Sequence, residues 1–184
     1  LWDVSQVASL WRRWFHKALI NLMINIFIGL SVGVNVIVAR YYGAKREKDV
    51  QDTIHTAMAL SIVSGLFLII VGQLLSRPML ELMGTPDDVI DKSTIYMRII
   101  FIGMPANMIY NFGSAILRAV GDTKRPLYFL TAAGVINVVL NLFFVIMFQM
   151  DVAGVALATA ISQAISACLV ILCLMESEGG LKLI

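Results

Sequence analysis

The chain has 184 residues, of which 59% are hydrophobic and only 14% are charged. A soluble domain carries about 25% charged residues, so this composition excludes a water-soluble protein built around one core. The formal net charge is only +2. In a membrane protein the distribution of Lys and Arg among the loops is more informative than their sum.

Five apolar segments are each long enough to cross the hydrocarbon core of a bilayer, which takes roughly 20 helical residues. They lie at residues 18–39, 54–75, 94–117, 127–149 and 152–175 and take up most of the chain. The sequence therefore predicts an all-α membrane protein, a bundle of about five transmembrane helices.

The segment before the first span, residues 1–17, has an amphipathic pattern and contains all three Trp residues of the chain. It also carries Arg12, Arg13 and Lys17. Trp beside basic residues suits a helix that lies in the headgroup region. The alternative is a non-native or truncated start whose charges have no topological role, and the sequence leaves both interpretations open.

The loops between the spans differ in charge. The loops at residues 40–49 and 116–127 are rich in Lys and Arg, whereas the loop at residues 76–92 is acidic. Two helices separate the basic loops, so we expect both on one face of the membrane. The positive-inside rule makes that face cytoplasmic, and the tail at residues 176–184 is then cytoplasmic as well.

Polar side chains recur at helical spacing within the spans, which places them on common faces. Asn137 and Asn141 are one turn apart on span four. The other polar stripes are Asn21, Asn25 and Asn35 on span one; Tyr96, Gly103, Asn107, Tyr110, Asn111, Ser114 and Arg118 on span three; and Thr159, Ser162, Gln163 and Ser166 on span five. Span two has small residues instead, namely Ala57, Ser61, Ser64, Gly65 and Gly72.

Two interpretations of these stripes compete. Amides and small residues pack helices together inside membranes, and we expect only packing from Gly29-x-x-x-Gly33 and Gly154-x-x-x-Ala158. Polar stripes that converge from four helices instead indicate a hydrated cavity, as in transporters. On that interpretation Asn137, Asn141 and Gln163 belong to a cation relay or cavity. The residues predicted to line a substrate cavity are Asn25, Asn35, Asn107, Tyr110, Asn111 and Ser162.

The sequence offers little to other kinds of site. No Asp or Glu lies in the middle of a span, so the intramembrane carboxylate that an ion-coupled carrier normally needs would lie outside these residues. His16 and His55 are isolated, which predicts no metal site. Cys168 and Cys173 are interpreted as two buried thiols without a disulfide. Without a nucleophile–base pair or a phosphate loop, we expect no enzyme.

Several stretches together resemble the MATE family, the multidrug and toxic compound extrusion transporters, on its bacterial side. They are NIFIGLSVGVNVIVARYYGAKR, LELMGTPDDV, YMRIIFIGMPANMIYNFGSAILRAVGDTKRPL and GVINVVLNLFFV followed by GVALATAISQ. The resemblance runs from about residue 20 to residue 175. The last three stretches are specific in combination, and RAVGDTKRPL after a helix that contains proline is not expected by chance.

The resemblance implies a fold of twelve helices in two lobes, of which this chain would supply about helices two to six of the N-terminal lobe. Helix one and the C-terminal lobe would then be its partners, together with membrane lipids, in a multi-pass protein of the bacterial inner membrane. The implied activity is efflux of lipophilic, typically cationic small molecules in exchange for Na+ or H+. Neither a covalent cofactor nor nucleic acid is implied. The family's helix-five amides fall on Asn137 and Asn141, and some members have an acid on helix six, where this sequence has Gln163.

Two other functions stay open. One is a flippase for lipid-linked saccharides from the same superfamily, although its cavity would be more cationic than these nearly neutral stripes. The other is a structural membrane subunit without a transport path.

Overall fold

The computed structural model describes residues 25–26, 29–150 and 152–177. Five helices run through these residues: α1 (29–43), α2 (Glu47–Leu82), α3 (Ile90–Ala119), α4 (Lys124–Ile146) and α5 (Val152–Glu176). Helices α2 to α5 are each long and apolar enough to cross a membrane. The prediction of an all-α membrane bundle is confirmed. The predicted segment 1–17, the first part of span one and residues 178–184 of the tail lie outside the described residues.

Helices α2 and α3 run antiparallel and meet through two glycine notches. Gly65 lies against Pro105, and a Cβ at Gly65 would stand 2.4 Å from Pro105 Cα. Gly72 lies against the ring of Phe101. Gln73, the residue after Gly72, donates a hydrogen bond of 3.0 Å from Nε2 to the Arg98 carbonyl, one turn before Phe101. The small-residue face predicted on α2 is buried along its whole length, because only small side chains let the two backbones approach this closely.

Helix α3 is the centre of the bundle, and α5 runs parallel to it. Gly103 faces Ala160 and, ten residues further along both helices, Gly113 faces Val170. Phe112 and Ile116 of α3 are fully buried in the core that forms here. Helix α4 lies at the edge, antiparallel to α5, and among its residues only Pro126 and Ala133 are buried. Most of its apolar side chains therefore face outward, as suits a helix at the rim of a membrane bundle.

The charges of the α3–α4 turn are held in a local network. Gly121 has a φ of 89°, which allows the Asp122 N–H to donate back to the Leu117 carbonyl at 3.0 Å. Asp122 Oδ1 accepts the Arg125 backbone N–H at 3.1 Å, and Asp122 Oδ2 pairs with Arg125 Nε at 3.2 Å. Arg125 Nη1 also reaches Cys173 Sγ at 3.5 Å. The network fixes the turn and ties it to the end of α5.

The antiparallel course of α2 and α3 puts the two basic loops at the same end of the bundle, as expected. Their cytoplasmic location stays a prediction.

One packing prediction is not met within the described residues, and one needs correction. Nothing in the described part of the chain lies within 4 Å of a Cβ at Gly29 or Gly33, so no described helix makes their predicted contact, whereas Gly154 does pack against Phe144. Both cysteines are free, but only Cys173 is buried and Cys168 is exposed. Five residues rotate a helix by roughly 140°, which turns the two thiols to different sides.

We expect Lys45→Gly to raise the free energy of unfolding by about 1 kcal/mol. Lys45 lies in the turn after α1 with a φ of 55°, a left-handed conformation in which a side chain is strained and glycine is not. Thermal unfolding in detergent, followed by circular dichroism, measures the change. The matched control Lys48→Gly, inside α2, should lower stability by about 1 kcal/mol. A decrease for both variants would contradict the expectation.

Candidate functional site

Four polar side chains join α4 to α5 within the predicted membrane spans. Asn137 Nδ2 donates to Thr159 Oγ1 at 3.3 Å and to Ser162 Oγ at 3.2 Å. Asn141, one turn further along α4, donates from Nδ2 to Asn137 Oδ1 at 3.0 Å. We name Asn137, Asn141, Thr159 and Ser162 the amide ladder.

The direction of every hydrogen bond in the amide ladder is fixed by the hydroxyl groups. Thr159 Oγ1 donates its proton to the Val155 carbonyl and Ser162 Oγ to the Thr159 carbonyl, each at 2.9 Å. Both hydroxyls can therefore only accept from Asn137, so its NH2 group must face α5 and its oxygen must face Asn141. The Asn141 NH2 group must then be the donor to that oxygen.

The amide ladder consequently ends in an acceptor. Asn141 Oδ1 is shielded from solvent and has no hydrogen-bond donor among the described residues. A buried acceptor without a partner costs about 1–3 kcal/mol. Hydrogen bonds in a chain polarise one another, which increases the partial negative charge on this last oxygen. The arrangement is chemically suited to a cation or to a strong hydrogen-bond donor.

Local sequence explains why the amide ladder forms. The i, i+4 spacing places both asparagines on one face of α4, and hydroxyls in helices commonly bond back to their own backbone. Thr159 belongs to the polar stripe predicted on span five, but the sequence did not assign it to the relay or to the cavity. Its spacing, three residues before Ser162 and four before Gln163, already placed it on their face of α5.

Three of the predicted cavity residues lie away from the amide ladder. Asn35 Nδ2 donates to the Ala115 carbonyl at 2.9 Å and joins α1 to α3. The Tyr110 hydroxyl donates to the Pro126 carbonyl at 3.0 Å and joins α3 to the start of α4. Asn25 is exposed. Two of the three thus hold helices together, in line with the packing interpretation.

The remaining candidates lie on α3 and α5 and do not join the amide ladder. Asn111 Nδ2 donates to both the backbone and the side-chain oxygen of Asn107, and both residues are half-buried on α3. Gln163 Oε1 lies beside Gly103, 3.1 Å from where a Cβ would stand. Within the described part of the chain neither group hydrogen-bonds to the amide ladder. The structure therefore unites Asn137, Asn141 and Ser162 and leaves Asn107, Asn111 and Gln163 apart.

Comparison with known proteins identifies the family. The MatE family model matches residues 17–143 of the chain. The chain belongs to the MatE family. This is a family of membrane transporters and not of enzymes. In the part of the chain that the structure describes, four helices are long and apolar enough to cross a membrane, as suits a multi-pass membrane protein. The resemblance inferred from the sequence motifs is confirmed.

Curated relatives of this MatE chain include three bacterial proteins. It is 34% identical over 145 residues to the "Probable multidrug resistance protein YoeA" of Bacillus subtilis, covering 77% of the chain and 31% of that protein. It is 26% identical to the "FAD transporter" of Shewanella oneidensis, covering 77% and 32%. It is 27% identical to the "Probable multidrug resistance protein NorM" of Listeria monocytogenes, covering 65% and 26%. The chain thus spans about a third of the length of these relatives.

Solved structures agree on the fold. A MATE structure in the bent conformation superposes with a TM-score of 0.81 at 22% identity, covering 95% of this chain and 38% of that one. An inward-facing multidrug resistance MATE transporter superposes with a TM-score of 0.80 at 23% identity, covering 92% and 38%. The helices described above therefore have the arrangement found in part of a MATE transporter.

Proposed function

We propose that the protein exports lipophilic, mainly cationic small molecules in exchange for Na+ or H+, and that this chain supplies about helices two to six of one lobe. The multidrug resistance proteins among its relatives support the drug-like substrate class. The amide ladder supports the coupling to a cation, because its buried end presents an acceptor oxygen with no donor among the described residues.

The chemistry of the amide ladder favours Na+ as the ion that binds it directly. Its groups are amide and hydroxyl oxygens, which suit hard cations. An amide oxygen does not take up a proton near neutral pH. A coupling proton would need a carboxylate on another helix, hydrogen-bonded to Asn141 Oδ1. In the first case Na+, and in the second the protonated carboxyl group, would supply the partner that Asn141 Oδ1 lacks. Either partner would remove the free-energy cost of the unpaired oxygen.

Asn107, Asn111 and Gln163 suit the wall of a substrate cavity. They are half-buried and none of them hydrogen-bonds to the amide ladder. Neutral amides among apolar side chains orient a ligand without imposing a charge of their own. Asn25, which precedes α1 in the chain, would extend this wall, whereas Ser162 is held in the amide ladder. Asn35 and Tyr110 would hold the surrounding helices.

Transport by the full-length protein in proteoliposomes tests the proposal. We expect an imposed Na+ gradient to accelerate export of rhodamine 6G, a fluorescent lipophilic cation, at least tenfold over the rate without a gradient. A pH gradient of equal size serves as the comparison and distinguishes the two coupling ions. Equal rates with and without both gradients, at verified protein content, would contradict coupled export.

A further inference from the structure

A groove separate from the amide ladder lies between α1 and α2, with a volume of about 770 Å³. Its walls are one face of α1, which includes Gly29 and Gly33, and the face of α2 from Asp49 to Leu60. No described atom lies within 4 Å of a Cβ at either glycine. This volume is within the roughly 300–1,000 Å³ of small-molecule sites.

The groove is amphiphilic along its length. Its apolar part contains Ile26, Leu30 and Leu60, far from the α1–α2 turn, and its polar end contains Asp49 and Asp52, close to that turn. Both carboxylates precede the predicted span at residues 54–75. The polar end therefore lies at the level of the lipid headgroups, and the apolar part lies beside the hydrocarbon.

The polar end offers acceptors to a ligand. Thr53 Oγ1 donates to the Asp49 carbonyl at 2.6 Å and Thr56 Oγ1 to the Asp52 carbonyl at 2.8 Å, so both hydroxyl protons are already used. The described lining contains no Lys or Arg. Two carboxylates, two hydroxyl oxygens and the ring of Tyr41 are a set of groups that attracts cations and repels anions.

A cation from the chain itself already binds at this end. Arg46 Nε lies 2.7 Å from Asp49 Oδ2, and its guanidinium carbon lies 5.3 Å from the centre of the Tyr41 ring. The Arg46 side chain is 60% exposed. An exposed ion pair of this kind contributes only about 0–1 kcal/mol, so another cation can displace it at little cost.

We propose that the α1–α2 groove is a binding site for amphiphilic organic cations, whose charged group replaces Arg46 at Asp49 and Tyr41 while the apolar body lies along Gly29 and Gly33. Asp52 adds a second carboxylate to the charged end. The choice of ligand class rests on the proposed export of lipophilic cations. The location of the site does not depend on the amide ladder, since the two share no residue.

Fluorescence polarisation with the full-length protein in nanodiscs of zwitterionic lipid tests the site. We expect rhodamine 6G to bind at least tenfold more weakly to Asp52→Asn and to Gly33→Leu, because the first removes a carboxylate and the second fills the groove. Arg46→Gln should bind the dye several-fold more tightly, since the competing cation is gone. Fluorescein, an anionic dye with the same ring system, should not bind.

Matched controls keep the outcome interpretable. Gly134→Leu is the control for Gly33→Leu, because it places the same side chain at a glycine on α4 that also has no atom within 4 Å of its Cβ. Asp88→Asn is the control for Asp52→Asn, because it removes an exposed carboxylate in the loop between α2 and α3. Both should bind the dye normally. Asn141→Ala should bind the dye normally while needing at least tenfold more Na+ for half-maximal export, which separates this site from the proposed coupling.

Several results would overturn the site. They are unchanged dye binding in Gly33→Leu, equal binding of fluorescein, and weaker dye binding in Arg46→Gln. If lipid or another membrane helix fills the groove instead, dye binding should be unchanged in Gly33→Leu.

Discussion

Gly65→Ala is expected to lower the free energy of unfolding by about 3 kcal/mol, at the upper end of overpacking costs. A Cβ at this position would stand 2.4 Å from Pro105 Cα and 2.8 Å from Pro105 Cβ. The clashing atoms of Pro105 are its backbone and the first atom of its ring, which cannot rotate away. The clash can therefore be relieved only if α2 and α3 separate. The separation would also open the buried core around Phe112.

Thermal unfolding of the purified protein in detergent, with circular dichroism as the readout, measures this loss. Gly134→Ala is the matched control, because it makes the same change in a helix where no atom lies within 4 Å of the new Cβ. There alanine should raise stability by about 1 kcal/mol through its helix propensity. Equal effects of the two substitutions would mean that the α2–α3 contact is not the close approach described here.

Asn141→Ala is expected to raise the Na+ concentration for half-maximal export at least tenfold, with normal expression. The variant removes the acceptor at the end of the amide ladder. The contact between the amide oxygen and Na+ is an ion–dipole contact, and a loss of about 1.4 kcal/mol from it corresponds to a factor of ten in affinity. Asn137→Leu should have a larger effect, because it breaks the bonds to Thr159 and Ser162 as well.

The dependence of dye export on Na+ concentration in proteoliposomes is the measurement. Thr131→Ala provides a control on the same helix, since its hydroxyl is exposed and donates only to the Leu127 carbonyl of α4. That variant should keep the native Na+ dependence. Native behaviour of Asn141→Ala, at equal protein content, would remove Asn137 and Asn141 from the coupling site.

Sequence predicted part of this candidate site. The spacing of Asn137 and Asn141 places them on one face of α4 whatever the helix packs against. The rotation of α5 against α4 decides which residues of α5 they contact, and these are Thr159 and Ser162. It also decides that Asn141 Oδ1 has no donor among the described residues. The stripe on α3 had the same appearance in the sequence, yet Asn107 and Asn111 bond within their own helix.

Sequence by itself determined that this is a helical membrane protein of the MatE family, because hydropathy, segment length and motif order are properties of the chain. Tertiary structure alone decided which similar patterns make contact. Gly154 of the Gly154-x-x-x-Ala158 motif packs against Phe144. Gly29 and Gly33 have the same four-residue spacing but border an open groove. The physical reason is that lipid is as apolar as the side chains, so hydrophobicity does not choose a helix's partner. Close packing and hydrogen bonding between particular helix faces make that choice.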